Sequence, residues 1–513
     1  MKISEILDFL KDEIIETRIE VDTDLEIKNF KDNSELVEKN DVFIAVKGFK
    51  VDGHDFIHSA LSRGAVFVIL DNPEKIPEDL SLDYVLIKNT RKVIAELAYK
   101  NKHISPKDFK MFAVTGTNGK STVATLVHHI LQESGKKSTL FSTVEIMIKD
   151  QVIEEPYNTT PSVIKISEIL EKSKLENVEF VNMEVSSHAI HQKRVEKLEY
   201  DLISYTNITR DHLDYHHTFK EYMDTKLSLT NYLKKNGKVI VNIDEIELDN
   251  FHVDKNKIIT YGFDDKADYT IKSINQSIYQ MNFKIDTPEG EELSIYSSII
   301  GKFNAYNITN ALIVCKEYGL SYDQIKHSII TFKGVRGRFE LIPSSKALGF
   351  SVVIDFAHTP DALDKVLSNA KEIVKGRIIL VFGAGGNADV GKRKIMGEVA
   401  SKYSDIIVLT TDDPKDEDPE KIIEQVKDGI TKERNFIVIP ERKTAINAAI
   451  NFANRDDLVI IAGRGHEKFQ LFSNGKQIKF NDFEIASECI DSLRRSMKKW
   501  HLNNFLKENI IFK

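Results

Sequence analysis

Short runs of apolar, often β-branched residues recur along this chain, separated by polar or glycine-bearing loops and by segments with helical spacing. In the first hundred residues Asp41–Val46 and Ala65–Leu70 read as strands, and Arg91–Lys100 follows as a helix. The polar segment Asn101–Asp108, which contains Pro106, marks a boundary. From Met111 the pattern becomes strand, glycine-rich turn, helix and strand: Met111–Val114, Ser121–Ser134 with Gly135 as its stop, then Ser138–Ser142. Such a βαβ unit implies a largely parallel sheet. The last third repeats the style, with Arg377–Phe382, Asp405–Leu409 and Leu458–Ala462 as strands. They end in the loops Gly383–Asn387, Thr410–Lys415 and Gly463–Glu467. Ligands of doubly wound sheets sit beyond the carboxyl ends of the strands, so these three loops predict one site.

The expected fold is therefore α/β with three domains, 1–105, 106–336 and 337–513. The central one is a P-loop-type ATPase domain with a parallel-rich sheet, and the last is Rossmann-like. A length of 513 residues suits that number. The net charge of −8, from 71 basic and 79 acidic residues, argues against a nucleic-acid binder. With 24 Gly and 11 Pro the chain is neither collagen-like nor of low complexity. Cys315 and Cys489 are too few for a disulfide framework or a thiolate metal cage, which suits a reducing compartment. Met1–Asp8 carries charges where a signal peptide needs an apolar core. No apolar run approaches the roughly 18 residues of a membrane helix. A soluble, cytoplasmic protein without a membrane span is expected.

The strongest local signal is Gly116-Thr117-Asn118-Gly119-Lys120-Ser121-Thr122, between a strand and a helix. Glycines let amide N–H groups turn toward phosphate oxygens, Lys120 reaches the β- and γ-phosphates, and Ser121 can ligate Mg²⁺. Val114 stands where the usual motif has its first glycine, so this is a shortened variant. The bland reading is a glycine turn opening a helix. A second glycine motif, Gly383-Ala384-Gly385-Gly386-Asn387-Ala388, matches G-x-G-x-x-A, with Asp412 or Asp413 as the distant acid of an NAD site. Alone it is weak. Glu184 ends the strand-like Phe180–Val185, a sensible place for a Mg²⁺ ligand. His212 and His216 are spaced to share a helix face and could hold zinc, or could be hydrogen-bonding histidines of a polar loop. Lys226, by spacing alone, passes as a solvated helix lysine.

Taken together these segments resemble the Mur ligase family, and within it the members that add the third residue of the peptidoglycan stem peptide. The resemblance runs from about residue 33 to 484 and includes the shortened phosphate loop. Asn158-Thr159-Thr160-Pro161 is similar to the family's loop for the UDP-muramoyl substrate, and Met183–His188 with Gln192 and Arg194 to its M-E-V-S-S-H…Q-x-R segment. Ser186, Gln192 and Arg194 are thereby implied in substrate binding, and Glu184 in holding magnesium. Arg210–His216 matches R-D-H-L-D-Y-H, which makes His212 a further implied metal ligand. Lys226 falls at the lysine carbamylated in this family, to N6-carboxylysine, an anion able to hold Mg²⁺. The segment Gly301–Asn307 resembles the adenine-contacting stretch, with Asn304 as the contact; Arg338 of Gly337–Glu340 is implied near the phosphates. Asp355 and His358, in Asp355–Leu363, resemble the residues that help hold the nucleotide. Ser34, Asp41–Phe43 and Asp52–His54 resemble the uridine-binding domain.

The resemblance implies an ATP- and Mg²⁺-dependent amide ligase that binds its UDP-substrate in 1–105, ATP in 106–336 and an amino acid in 337–513. The carboxyl of UDP-N-acetylmuramoyl-L-alanyl-D-glutamate would take the γ-phosphoryl group, and the amine of the incoming amino acid would attack the acyl phosphate after domain closure. Lys120, Glu184, His212, Lys226 and Arg338 form the implied catalytic set, with Ser121 added for the metal. Asp412, Asp413, Lys415, Gly463 and Glu467 are implied to bind the amino acid. The chain departs from the family pattern at four places: Phe356 for Tyr, Glu35 for Arg, Asn387-Ala388 for Asp-Arg, and Asp412-Asp413-Pro414-Lys415 for D-N-P-R. Lys415 suits a second carboxylate, so meso-diaminopimelate or meso-lanthionine is favoured, although Asp413 would suit the ammonium of L-lysine. A folylpolyglutamate-synthase-like ligase and a non-ligase nucleotide switch are the rival readings. A monomer is expected, and the basic stretch Arg494–Trp500 reads as a solvated helix.

Overall fold

The computed structural model describes residues 1–48, 51–76, 82–156, 158–431 and 435–510; the side chains of residues 214 and 497–510 lie outside the description. The chain forms two compact units. The first comprises 1–113, 135–203 and 228–238; the second comprises 114–134, 204–227 and 239–513.

The first unit opens with a five-stranded sheet ordered Ile14–Arg18, Tyr84–Ile87, Val68–Leu70, Val42–Ile44 and Phe30–Lys31. Only the pair of Ile14–Arg18 with Tyr84–Ile87 is antiparallel. Phe43, Val68, Leu70 and Leu86 form its core with Ile57 and Ala60 of a short helix. The helix Thr90–Asn101 starts where Asn89 accepts the Lys92 N–H at 3.1 Å, one of the donors a helix start leaves unpaired. Further along, Phe180–Glu184 runs parallel to Ser138–Phe141, and an antiparallel extension follows through Ile146–Ile148 and Gln151–Glu154. The strand expectations hold, with narrower bounds at Val42–Ile44 and Val68–Leu70.

The second unit contains the phosphate-loop helix Lys120–Glu133, packed with helices Lys302–Glu317 and Tyr322–Thr331. Its first sheet runs parallel from residues 239–242, the end of strand Leu233–Asn242, through Ile258–Gly262 to Tyr269–Gln276. It then turns antiparallel through Met281–Asp286 and Glu292–Ser297, whose alternating burial shows one wet face. This meander was not foreseen.

The last sheet is ordered Glu340–Leu341, Ser351–Asp355, Leu458–Ala462, Ile378–Phe382, Ile406–Leu409 and Asn435–Val438. All neighbours after the first pair are parallel, so the loops after Asp355, Phe382, Leu409 and Ala462 emerge at one edge. Its three expected strands appear at Ile378–Phe382, Ile406–Leu409 and Leu458–Ala462. Helices Pro360–Ile373, Gly391–Tyr403 and Pro419–Lys427 pack in series; Arg442–Phe452 packs against Asp482–Ile510. A run of apolar strand residues with Ala445, Ile446, Ala449 and Ile450 makes the core. The long helix Asp482–Ile510 carries the basic stretch, of which the side chains of 497–500 fall outside the described residues.

The start of that helix is fixed by a buried ion pair. Arg442 donates from Nε and Nη2 to the two Asp482 oxygens at 2.8 and 2.6 Å, and both side chains are fully buried. Removing one partner strands a charge away from water. Asp482→Ala is expected to destabilise the second unit by about 3–5 kcal/mol, seen as a lower urea midpoint.

Candidate active site

In the second unit the phosphate loop follows strand Lys110–Thr115 and opens helix Lys120–Glu133. Gly116 and Gly119 have φ of 151° and 89°. A Cβ at Gly116 would lie 1.9 Å from Thr206 Oγ1, and one at Gly119 would lie 2.5 Å from Asn307 Oδ1, so neither position accepts a side chain. Residues 206–209 buttress the loop. Thr117 N–H donates to the Asn207 carbonyl at 2.8 Å, Asn118 N–H to Asn207 Oδ1 at 2.9 Å, and Thr206 Oγ1 to the Asn118 carbonyl at 2.6 Å.

Two lysines meet at this loop. Lys120 Nζ donates to the carbonyls of Gly116 and Thr117 at 2.9 and 2.8 Å. Lys226 Nζ, on helix Phe219–Leu227, donates to the same Gly116 carbonyl at 2.8 Å and lies 4.8 Å from the centre of the Tyr222 ring. Lys226 is 2% exposed, not solvated as its spacing suggested. Burial, helped by the charge of Lys120, holds its amine well below the usual lysine range. The carboxyl of Asp211 opposes this. Burial alone would push Asp211 up, yet the charges of His212, His358 and Lys120 keep it below the usual carboxylate range.

His212 has φ 53° and precedes the short helix Leu213–His216; His216 is buried, with its ring 5.4 Å from that of Tyr222. The two histidines therefore do not share a helix face as the zinc reading required. Among the described residues no group of three or more His, Cys, Asp or Glu is placed to hold a metal.

Arg338 extends Nη2 to within 3.4 Å of Ser121 Oγ and stacks 4.6 Å from the centre of the Phe356 ring. The stack uses the ring face, which Phe offers as well as Tyr. Asp355 accepts the N–H groups of Phe339 and Ala357, each at 2.7 Å; burial pushes its carboxyl up to about 6 against the pull of Arg338. Burial and then the charge of Lys392 lower His358 to about 4, so its ring is neutral at pH 7. Its Nδ1–H donates to the Phe356 carbonyl at 2.8 Å, leaving Nε2 as an acceptor. Asn304 is buried, donates to the Ile300 carbonyl at 2.8 Å and accepts from Asn307 at 3.1 Å. Asn118 Nδ2 donates to Asp361 at 2.7 Å, a partnership the sequence did not suggest.

The three strand-end loops of the last sheet meet as expected, although their glycines serve packing between loops. A Cβ at Gly383 would lie 2.2 Å from the Thr410 carbonyl oxygen, one at Gly386 1.9 Å from that of Pro414, and one at Gly463 2.2 Å from Asp412 Oδ2. The G-x-G-x-x-A match thus has a structural cause other than NAD. Asp413 is ion-paired with the buried Arg464 and accepts the Leu471 N–H at 3.0 Å. Asp412 Oδ2 is buried, has no hydrogen-bond partner among the described residues, and lies 4.0 Å from Arg442 Nη1. Burial, and the charges of Asp412, Asp413 and Asp482 against that of Arg464, push Glu467 up to about 8. Arg464 and Arg442 were missed. Arg464 sits in the singled-out loop between Gly463 and Gly465, whereas nothing local marks Arg442.

The first unit holds the other candidates. Glu184 is fully buried and accepts from Thr143 N–H and Oγ1 at 2.8 and 3.1 Å. A cleft of about 450 Å³ is lined by Ser34, Glu35, Arg91, Asn158, Gln192 and Arg194 among others. Arg194 donates from Nη1 to the Thr160 carbonyl at 2.8 Å and from Nη2 to Gln192 Oε1 at 2.8 Å. Thr160 is buried, and its hydroxyl bridges the Glu184 carbonyl and the Ser186 N–H at 2.9 and 3.1 Å. Ser186 caps helix Ser187–His191. Thr159, Thr160 and Ser186 do not line the cleft.

Sequence profiles of three family domains match in order: the Mur ligase family catalytic domain over 26–108, the Mur ligase middle domain over 114–315 and the glutamate ligase domain over 337–465. The chain belongs to the Mur ligase family. A Clostridium tetani protein named UDP-N-acetylmuramoyl-L-alanyl-D-glutamate–2,6-diaminopimelate ligase is 35% identical over 498 residues, covering 96% of this chain and all of that one. One of the same type from Clostridium acetobutylicum is 36% identical over 495 residues, with 96% and 100% covered. A solved structure of such a ligase matches with TM-score 0.64 at 27% identity, covering 96% of this Mur ligase and 99% of the other chain. Among the described residues no helix is long and apolar enough to cross a membrane.

Glu467 gives the ligand-free Mur ligase a pH signature. From its ordinary value of 4.5 to about 8 the folded protein keeps a proton that the unfolded chain has lost, so stability falls as pH rises through that window. Glu467→Gln is expected to gain stability over the parent above about pH 8, the difference vanishing below 4.5, in urea unfolding across pH.

Proposed function

We propose that this Mur ligase joins a diamino acid to the D-glutamate carboxyl of UDP-N-acetylmuramoyl-L-alanyl-D-glutamate, with ATP converted to ADP and phosphate, in peptidoglycan synthesis. The observation that carries the reading is Lys226, buried beside Lys120 on the Gly116 carbonyl with its amine held well below the usual lysine range. A neutral amine adds to CO₂ and loses a proton, giving a carbamate. That anion turns a repulsive pair of cations into an attractive one and adds an oxygen ligand where, among the described residues, no group of three or more His, Cys, Asp or Glu is placed to hold a metal. Ser121, His212 and carbamylated Lys226 fit a magnesium site on this chemistry, and the family resemblance adds Glu184. Magnesium bound there supplies charge neutralisation for the phosphates.

The substrate carboxylate attacks the γ-phosphorus of ATP, ADP leaves, and the amine of the incoming amino acid displaces phosphate from the acyl carbon. Gly116–Thr122 cradle the phosphates, and Lys120 and Arg338 balance charge on the transferring group. Asn304 takes the adenine; Asp355 and His358 hold the rest of the nucleotide. Ser34, Asn158, Thr159, Thr160, Ser186, Gln192 and Arg194 take the UDP-substrate. Asp412, Asp413, Lys415, Gly463 and Glu467 take the amino acid, with Asp412 serving its ammonium.

Meso-diaminopimelate or meso-lanthionine is the favoured amino acid. Arg464 occupies Asp413, which removes the charge that would have drawn the side-chain ammonium of L-lysine. Lys415 remains for a second carboxylate.

ADP release with ATP, Mg²⁺ and the UDP-dipeptide is expected to depend on a dicarboxylic diamino acid, with product mass confirming the amide. Turnover with L-lysine alone would overturn the choice of amino acid, and none with any of the three would overturn the ligase reading. In bicarbonate, intact-protein mass is expected to rise by one CO₂ in the parent and not in Lys226→Arg. That variant should lose activity about a hundredfold or more.

A further inference from the structure

The loop that carries Lys415 is held in a conformation its own sequence does not favour. Lys415 has φ 51°, a left-handed backbone that residues with a bulky side chain rarely adopt and that persists only where the surroundings impose it. Four anchors impose it. Lys415 N–H donates to the Leu471 carbonyl at 3.1 Å, and Asn474 N–H to Asp416 Oδ1 at 3.3 Å. Arg393, fully buried, donates from Nη1 and Nη2 to the two Glu417 oxygens at 2.8 and 2.9 Å, and from Nη2 to the Gly385 carbonyl at 3.1 Å. Asn387 closes the set: Nδ2 donates to Asp416 Oδ2 at 2.9 Å and the backbone N–H to Glu417 Oε1 at 2.5 Å. Asn387 is itself at φ 52°, which asparagine tolerates.

These anchors also govern charge. Asp416 and Glu417 follow Lys415 directly, and either carboxylate, left loose, could swing onto the lysine and cancel it. Asn387 and Arg393 keep both occupied. Asn387 faces a carboxylate, so an amide donor works there and the acid usual in the family would repel it. The replacement of Asp-Arg by Asn-Ala is therefore a gain of a clamp as well as the loss of an arginine.

We propose that Asn387 is a positioning residue that, through Asp416 and Glu417, holds Lys415 to receive the far carboxylate of the incoming amino acid. This rests on the dicarboxylic-substrate reading above. Asn387→Asp keeps size and left-handed tolerance but removes the donor. It is expected to raise KM for meso-diaminopimelate about tenfold. The values of kcat and of KM for ATP and the UDP-dipeptide should stay within about twofold. Combining it with Asp416→Asn restores an amide–carboxylate pair in the opposite sense and should return KM to within about threefold of the parent. An unchanged KM for diaminopimelate in Asn387→Asp, a parallel rise of all three KM values, or failure of the double variant to recover would overturn the proposal. A parent enzyme that accepts L-lysine and rejects both dicarboxylic acids would overturn the substrate reading and this inference together. A parent that uses diaminopimelate beside an indifferent Asn387→Asp overturns the inference alone.

Discussion

Two lysine amines converge on the carbonyl of Gly116, one from the phosphate loop and one from helix Phe219–Leu227. Two full positive charges this close repel strongly, and burial together with the charge of Lys120 holds the Lys226 amine well below the usual lysine range. The loop must hold its carbonyl out toward both amines, which demands the positive φ of Gly116 and leaves no room for a Cβ beside Thr206. That in turn fixes why residues 206–209 follow the loop so closely, bonding the backbone of Thr117 and Asn118. The contact of Asn118 with Asp361 carries the same constraint to the start of helix Pro360–Ile373.

Around the last sheet a related economy of charge decides what is free to meet a ligand. Arg393, Arg442 and Arg464 are all fully buried, and each is matched to a carboxylate: Glu417, Asp482 and Asp413. Buried pairs of this kind add little net stability but cost heavily when broken, so they act as fixed points. Among the described residues this leaves Asp412 Oδ2 without a hydrogen-bond partner, a Glu467 carboxyl pushed up to about 8, and Lys415. Such a set suits the amino-acid site proposed above.

The phosphate loop, the strands of the last sheet and the convergence of their loops were all legible in the sequence, because each depends on short-range pattern: apolar runs, glycines and the change of period from two to 3.6. Where reading from spacing failed, the cause lay in contacts distant along the chain. Lys226 looked like an exposed helix lysine because nothing nearby reveals that Gly116, 110 residues earlier, lies against it. Between a helical pair and histidines of a polar loop, the spacing of His212 and His216 could not choose, because the left-handed turn at His212 leaves no local mark. The second glycine motif was only a weak match to a dinucleotide loop, since glycines needed for close backbone packing and glycines needed for a pyrophosphate are identical in sequence.

By itself the sequence determined the class of chain: an α/β protein with a phosphate loop opening a helix and strand-end loops rich in functional groups. The ordered motifs were sufficient for a resemblance to the Mur ligases. Such features are written in neighbouring residues, where backbone geometry and side-chain periodicity act. Only the tertiary structure decided which charges survive to do chemistry. Asp413 is spent on Arg464, burial holds the Lys226 amine well below the usual lysine range, and Asp416 and Glu417 are bonded to Asn387 and Arg393. Electrostatic roles depend on distance and on exclusion of water, and both are set by how remote segments pack.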